Sequence, residues 1–132
     1  MTFILDASVA LAMVLPDEGT PVAQRLLSAV VRDEAIVPSL WHYEVASGLH
    51  NAAVRGRLSQ VDATQALVVL CRLPLRIDRP DPVHLIDLSR ELGLSVYDSS
   101  YLSLCLKERA PIATLDGRLA EAARAAGVSV LS

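Results

Sequence analysis

Four carboxylates stand where an α/β chain would do chemistry: Asp6 directly after the apolar run Phe3-Ile4-Leu5, Glu44 beside Tyr43 and Val45, Asp98 after Val96-Tyr97, and Asp116 after Thr114-Leu115. In open parallel sheets ligands bind beyond the carboxyl ends of the strands, at a switch in strand order, so acids just past a strand lie where a reaction centre is expected. An Asp ahead of a helix is also an ordinary N-cap, and singly that is the plain reading of Asp6, Asp98 or Asp116. Their coincidence argues for chemistry. Glu44 adds to it, because it falls one turn after Leu40 on a helix with few other charges; a partly buried carboxylate there needs a cation, or else pairs with an Arg at the surface.

Oxygen donors without His or Cys make a hard site, suited to magnesium or manganese and poorly suited to zinc. The chemistry is phosphoryl transfer, in which one or two such ions activate a water and neutralise charge on a phosphodiester. The net charge of −3 does not announce a nucleic-acid partner, but with the four acids set aside the 15 acidic residues fall to 11 against 12 basic ones, a net of +1. Metal loading would therefore lift the main electrostatic obstacle to a polyanion.

The elements that must hold these acids read as short strands alternating with helices. Residues 2–5 form an apolar strand, and the nearly all-apolar stretch 7–15 is a buried helix stopped by Pro16. Val22, Leu26 and Val30 mark an amphipathic helix before the strand Ala35-Ile36-Val37. Residues 39–54 keep a helical pattern up to Gly56, and Ser59-Gln60-Val61-Asp62 has the form of a capping box for a helix to about Arg72. Leu75-Arg76-Ile77 is a strand; Asp81-Pro82 opens a helix that Gly93 closes. Asp98 starts the next, ending near Arg109. Residues 112–115 make a strand, 118–126 a helix ended by Gly127, and 128–131 a last strand. The expected fold is a three-layer α/β/α sandwich with a short, mostly parallel sheet of about five strands, in one domain spanning 1–132.

The motifs Asp6-Ala7-Ser8, Glu44 in the third helix, Tyr97-Asp98-Ser99-Ser100-Tyr101-Leu102 and Thr114-Leu115-Asp116 resemble the PIN-domain nucleases, and in size and layout the VapC-type toxins of toxin–antitoxin pairs. The resemblance covers essentially the whole chain. It implies a metal-dependent endoribonuclease in which Asp6, Glu44, Asp98 and Asp116 bind or orient Mg2+ (or Mn2+) and its water, with Ser8 and Thr114 as supporting hydrogen-bonding positions. It also implies an RNA substrate and a cognate VapB-like antitoxin that wraps the toxin. The family usually has Ala after the third acid; this chain has Ser99, a departure that leaves the acid unaffected.

Other residues carry plainer readings. His42, His50 and His84 lack ligand spacing and are structural or surface residues. Tyr101, three residues after Asp98 on the same helix face, could order the carboxylate or pack, and packing is the plainer reading. Arg118 is a surface residue placed where it could meet a phosphate, Arg55 and Arg57 suit a helix C-terminus, and Asp17 and Glu18 belong to a loop or helix start. The apolar helices 39–54 and 61–71 offer more hydrophobic surface than a thin sheet covers, which suggests a homodimer.

Composition bounds the alternatives. At 132 residues, 52% hydrophobic and 20% charged, the chain is too apolar for a disordered tail and large enough for its own core. No apolar stretch approaches the ~20 residues that span a bilayer, so no membrane is involved, and no basic segment precedes Phe3 as in a signal peptide. With only Cys71 and Cys105, a reducing cytoplasm is the simpler setting. A haloacid-dehalogenase-type phosphatase would want Asp where Ser8 stands. A receiver-type signalling domain would want a strand-end Lys, whereas Lys107 falls in a helix. A catalytically silent PIN-like binding module is the remaining alternative.

Overall fold

The computed structural model describes residues 1–16 and 19–131, so Asp17 and Glu18 lie outside the described residues. Five strands, β1 (Thr2–Leu5), β2 (Glu34–Pro38), β3 (Leu75–Asp78), β4 (Ile112–Ala113) and β5 (Val130–Leu131), form one sheet in the order β3-β2-β1-β4-β5, with every pair parallel. Phe3, Ile4 and Leu5 are all fully buried. Successive strand residues point to opposite faces, so both faces of the centre are covered by helices, as an all-parallel sheet requires.

Seven helices supply that cover: α1 (Ala7–Val14), α2 (Pro21–Arg32), α3 (Trp41–Val54), α4 (Gln60–Cys71), α5 (Pro82–Leu92), α6 (Val96–Glu108) and α7 (Gly117–Ala125). α1 packs against α2 and α3, and α3 against α4. α6 lies on β1, β2 and β4 and carries α5 outside it. Local signals explain the boundaries. Thr20 and Ser59 accept the amides of Ala23 and Asp62, each at 3.0 Å, and Asp81 accepts that of Val83 ahead of Pro82. Gly93 ends α5 at φ 65°, a left-handed cap that a Cβ would strain.

Several boundaries shift by one or more residues from the sequence expectation, and three of the shifts have a visible cause. α6 begins at Val96, capped by Ser95, whose Oγ accepts the Asp98 amide at 3.0 Å; Asp98 therefore sits inside the first turn and does not start the helix. β4 stops at Ala113 because the next amides leave the ladder: Leu115 N–H goes to Ser8 Oγ at 2.9 Å and Asp116 N–H to Thr114 Oγ1 at 3.0 Å. β5 is shorter because Val128 N–H still closes the end of α7, on Ala123 O at 2.8 Å.

Strand order reverses at β1. The chain builds outward through β2 and β3, then crosses back to lay β4 on the other side of β1. The ends of β1 and β4 thus flank the switch point, with Asp6 and Asp116 just beyond them.

Candidate active site

Asp6 occupies the N-cap position of α1 but its side chain makes no capping bond. Its Oδ2 instead accepts the Ser8 hydroxyl at 2.6 Å and the Thr114 hydroxyl at 2.7 Å. Asp6, 7% exposed, is a buried carboxylate held by two hydroxyls. Thr114 Oγ1 also accepts the Asp116 amide, which ties the ends of β1 and β4 together. Asp116 caps α7, its Oδ1 accepting the amides of Arg118 and Leu119 at 3.0 and 3.3 Å. Here the capping reading holds.

Glu44 reaches the same end of the sheet from the first turn of α3. It is half-buried, and its partner is no Arg: Tyr101, 1% exposed on α6, donates its hydroxyl to Glu44 Oε1 at 2.5 Å. None of the ion pairs among the described residues involves any of the four acids. Asp98 stands one turn before Tyr101 on α6, partly buried. The next residue, Ser99, is fully buried and accepts the Ser89 hydroxyl of α5 at 2.8 Å, so the departure from Ala serves the α5–α6 contact.

The acids feel one another. Burial pushes the Asp6 carboxyl above its ordinary value, opposed by the Ser8 and Thr114 hydroxyls and the Ala7 amide, and Asp116 adds to the rise. Burial likewise raises Glu44, with Asp6 and Asp98 reinforcing it and the Tyr101 bond opposing. Asp98 is raised by burial, then by Asp116 and Asp6, with Ser95 and the Arg118 charge opposing. Three carboxyls held up by burial and by mutual repulsion form a site short of positive charge. As the side chains stand, no group of three His, Cys, Asp or Glu among the described residues closes on a common metal position. One oxygen each of Asp6, Glu44 and Asp116 is committed within the protein, and the second is what each can offer an ion. The all-oxygen donor set and the shared charge deficit fit a hard divalent cation.

A groove of about 550 Å³ adjoins the cluster, lined by Leu40, Tyr43, Glu44, Ser47, Asn51 and Tyr97. Tyr43 and Tyr97 are 79% and 67% exposed there, and each directly precedes a site acid in the chain. Sequence reasoning missed this pair, although the repeated Tyr-acid step was available as a signal. The three-residue spacing from Asp98 allows Tyr101 to order a carboxylate, but packing is the preferred sequence reading and Glu44 as the partner is not foreseen.

The histidines build no site. His42 meets the Trp41 ring edge-on, with centroids 4.8 Å apart, while His50 and His84 are exposed.

A parallel five-stranded sheet with an acid quartet at its switch point defines a PIN-like fold, and the PIN domain family profile matches residues 3–125. The chain belongs to the PIN domain family. Within it, the chain is 36% identical over 124 residues to Ribonuclease VapC9 of Mycobacterium tuberculosis, covering 92% of this chain and 91% of the relative. It is 32% identical over 125 residues to Ribonuclease VapC3 of Pyrobaculum aerophilum, covering 92% and 94%. Among solved structures it superposes on PAE2754 of Pyrobaculum aerophilum with TM-score 0.77 at 21% identity, over 99% of this chain and 84% of that one. It superposes on VapBC2 of Rickettsia felis bound to a promoter DNA fragment with TM-score 0.70 at 13% identity, over 98% and 97%. These two likenesses confirm the fold.

Proposed function

We propose that this chain is a metal-dependent endoribonuclease, the toxin of a toxin–antitoxin pair, that hydrolyses RNA phosphodiester bonds at the Asp6, Glu44, Asp98 and Asp116 cluster. The carrying observation is that quartet at the switch point, with three of its carboxyls raised by burial and by their neighbours. Those four residues would hold Mg2+ or Mn2+, with Ser8 and Thr114 fixing the orientation of Asp6. When bound, such an ion supplies the positive charge the cluster lacks and acidifies a water for attack on phosphorus. The reaction joins a water oxygen to phosphorus, breaks one P–O bond to ribose and returns a proton to the departing ribose oxygen. The half-buried carboxylates are placed to take and release that proton.

Single-stranded RNA suits the surroundings. Tyr43 and Tyr97 offer exposed aromatic faces beside Glu44 on which an unstacked base can lie, and Arg118 adds a cation next to Asp98. The antitoxin reading rests on the VapC relatives; the partner would obstruct the acidic cleft. The exposed valines of α4, Val61, Val68 and Val69, fit a homodimer contact. No helix among the described residues is long and apolar enough to cross a membrane, and the cytoplasm, where RNA and a partner toxin regulator meet, is the proposed location.

The test is cleavage of total cellular RNA by the purified, partner-free chain with and without Mg2+ or Mn2+, alongside Asp6→Asn and Asp98→Asn. Metal-dependent cleavage lost in both folded variants is expected. Metal-dependent cleavage retained in both sinks the assignment, and a folded wild type that binds metal yet cuts no RNA favours the silent binding module.

A further inference from the structure

Tyr101 links two of the helices that carry the site acids. Its helix, α6, carries Asp98 one turn earlier; its hydroxyl donates to Glu44 on α3; and its oxygen faces the backbone amide of Ala7, the residue after Asp6. The phenol therefore joins α3 and α6, the helices that present Glu44 and Asp98. It is 1% exposed, so water does not compete for the bond.

The commitment of Oε1 to this bond fixes the rotation of the Glu44 carboxylate. A free Glu on a helix has three side-chain torsions to lose on binding a ligand, an entropic cost that a carboxylate already held in place avoids. Donors outside the ligand shell that orient a ligand carboxylate characteristically change metal affinity by about 10–100-fold. We propose that Tyr101 is a positioning residue: its hydroxyl pre-orients Glu44 so that the remaining oxygen, Oε2, is presented to the divalent ion. The proposal rests on the metal-nuclease reading and adds to it a residue whose role is neither ligand nor core filler.

The prediction separates orientation from packing, since Tyr101→Phe removes only the hydroxyl and leaves the ring in the core. Mn2+ titrated calorimetrically into the intact metal-free chain is expected to bind Tyr101→Phe about tenfold more weakly than wild type. The melting temperature of the metal-free variant stays close to wild type, and its deficit in RNA cleavage closes as Mn2+ is raised. Leu102→Ala serves as the structural control, because Leu102 is fully buried on the same helix and has no polar side-chain atom to orient a carboxylate. That variant is expected to melt lower while keeping wild-type Mn2+ affinity below its transition. Equal affinity in Tyr101→Phe and wild type overturns the proposal, as does an equal affinity loss in Leu102→Ala. A wild type that takes up no Mn2+ brings down the metal reading itself, and the positioning role with it.

Discussion

Thr114 donates its hydroxyl to Asp6 Oδ2 across 2.7 Å, although 108 positions separate the two residues. The same oxygen atom of Thr114 receives the Asp116 amide, so one buried hydroxyl couples two site acids from two neighbouring strands. Thr114→Val keeps the shape and deletes both bonds, leaving a buried carboxylate short of one donor and an amide short of its acceptor. The expected cost is about 1–3 kcal/mol in urea unfolding of the metal-free chain, with RNA cleavage down about tenfold. Ser8→Ala should cost less, about 1 kcal/mol, because Ser8 is only partly buried and Thr114 still holds Asp6.

The raised carboxyls set a pH dependence with a definite sign. Asp6, Glu44 and Asp98 bind their protons more tightly in the folded chain than in the unfolded one, where the ordinary values are 3.8, 4.5 and 3.8. Their contribution to stability is complete below those values and is lost as pH rises through the folded ones. The metal-free chain is therefore expected to lose stability from this cluster as pH rises above the ordinary carboxylate range. Asp33 and Asp78 work in the opposite sense. The α-amino group beside Asp33 and Lys107 beside Asp78 hold them low, so their contribution fades as pH falls through the folded values. The difference between wild type and Asp6→Asn isolates the cluster: melting curves from pH 4 to 8 should show the variant gaining relative stability as pH rises. Mn2+ affinity should rise over the same range, since protons and metal compete for the same oxygens.

Strand ends and helix caps made much of this site legible in the sequence. Phe3-Ile4-Leu5-Asp6 and Thr114-Leu115-Asp116 place their acids by local pattern, because a short apolar run reads as a buried strand and the residue after it emerges at the carboxyl end of the sheet. Asp98 was misread as a helix start because Ser95 and Asp98 both suit an N-cap, and the winner is decided by which side chain meets an amide; here it is Ser95. The Tyr101 bond to Glu44 spans 57 positions and depends on how α3 and α6 meet past the sheet. Neither periodicity nor capping reports such a meeting. The chemistry was thus visible as a set of acids, and the hydroxyls that orient them only in three dimensions.

The exposed tyrosines predict a split in kinetic parameters. Base stacking on an aromatic side chain contributes about 1–3 kcal/mol by alanine substitution and tolerates any base. Tyr97→Ala and Tyr43→Ala should therefore raise KM for a single-stranded RNA about tenfold or more while changing kcat little, because neither ring holds a site acid. Steady-state cleavage of a short labelled oligoribonucleotide at saturating Mn2+ checks this. A fall in kcat at unchanged KM would move these residues from substrate contact to the reaction itself.

α4 carries the clearest unpaid hydrophobic surface. Only Ala63 and Leu70 of its twelve residues are buried, while Val61, Val68 and Val69 are 65%, 42% and 55% exposed. At about 25 cal/mol per Å² of apolar area removed from water, a few such side chains weigh against the entropy of association only if the contact is doubled, as it is in a symmetric pairing where each copy contributes the same patch. Val68→Lys with Val69→Glu places charges at the centre of that patch and leaves the fold's core untouched. Sedimentation of the wild type is expected to show a dimer and that of the double variant a monomer, with melting of the dilute proteins little changed. A wild type that sediments as a monomer at high concentration assigns the α4 face to another partner, and the antitoxin then becomes its first candidate.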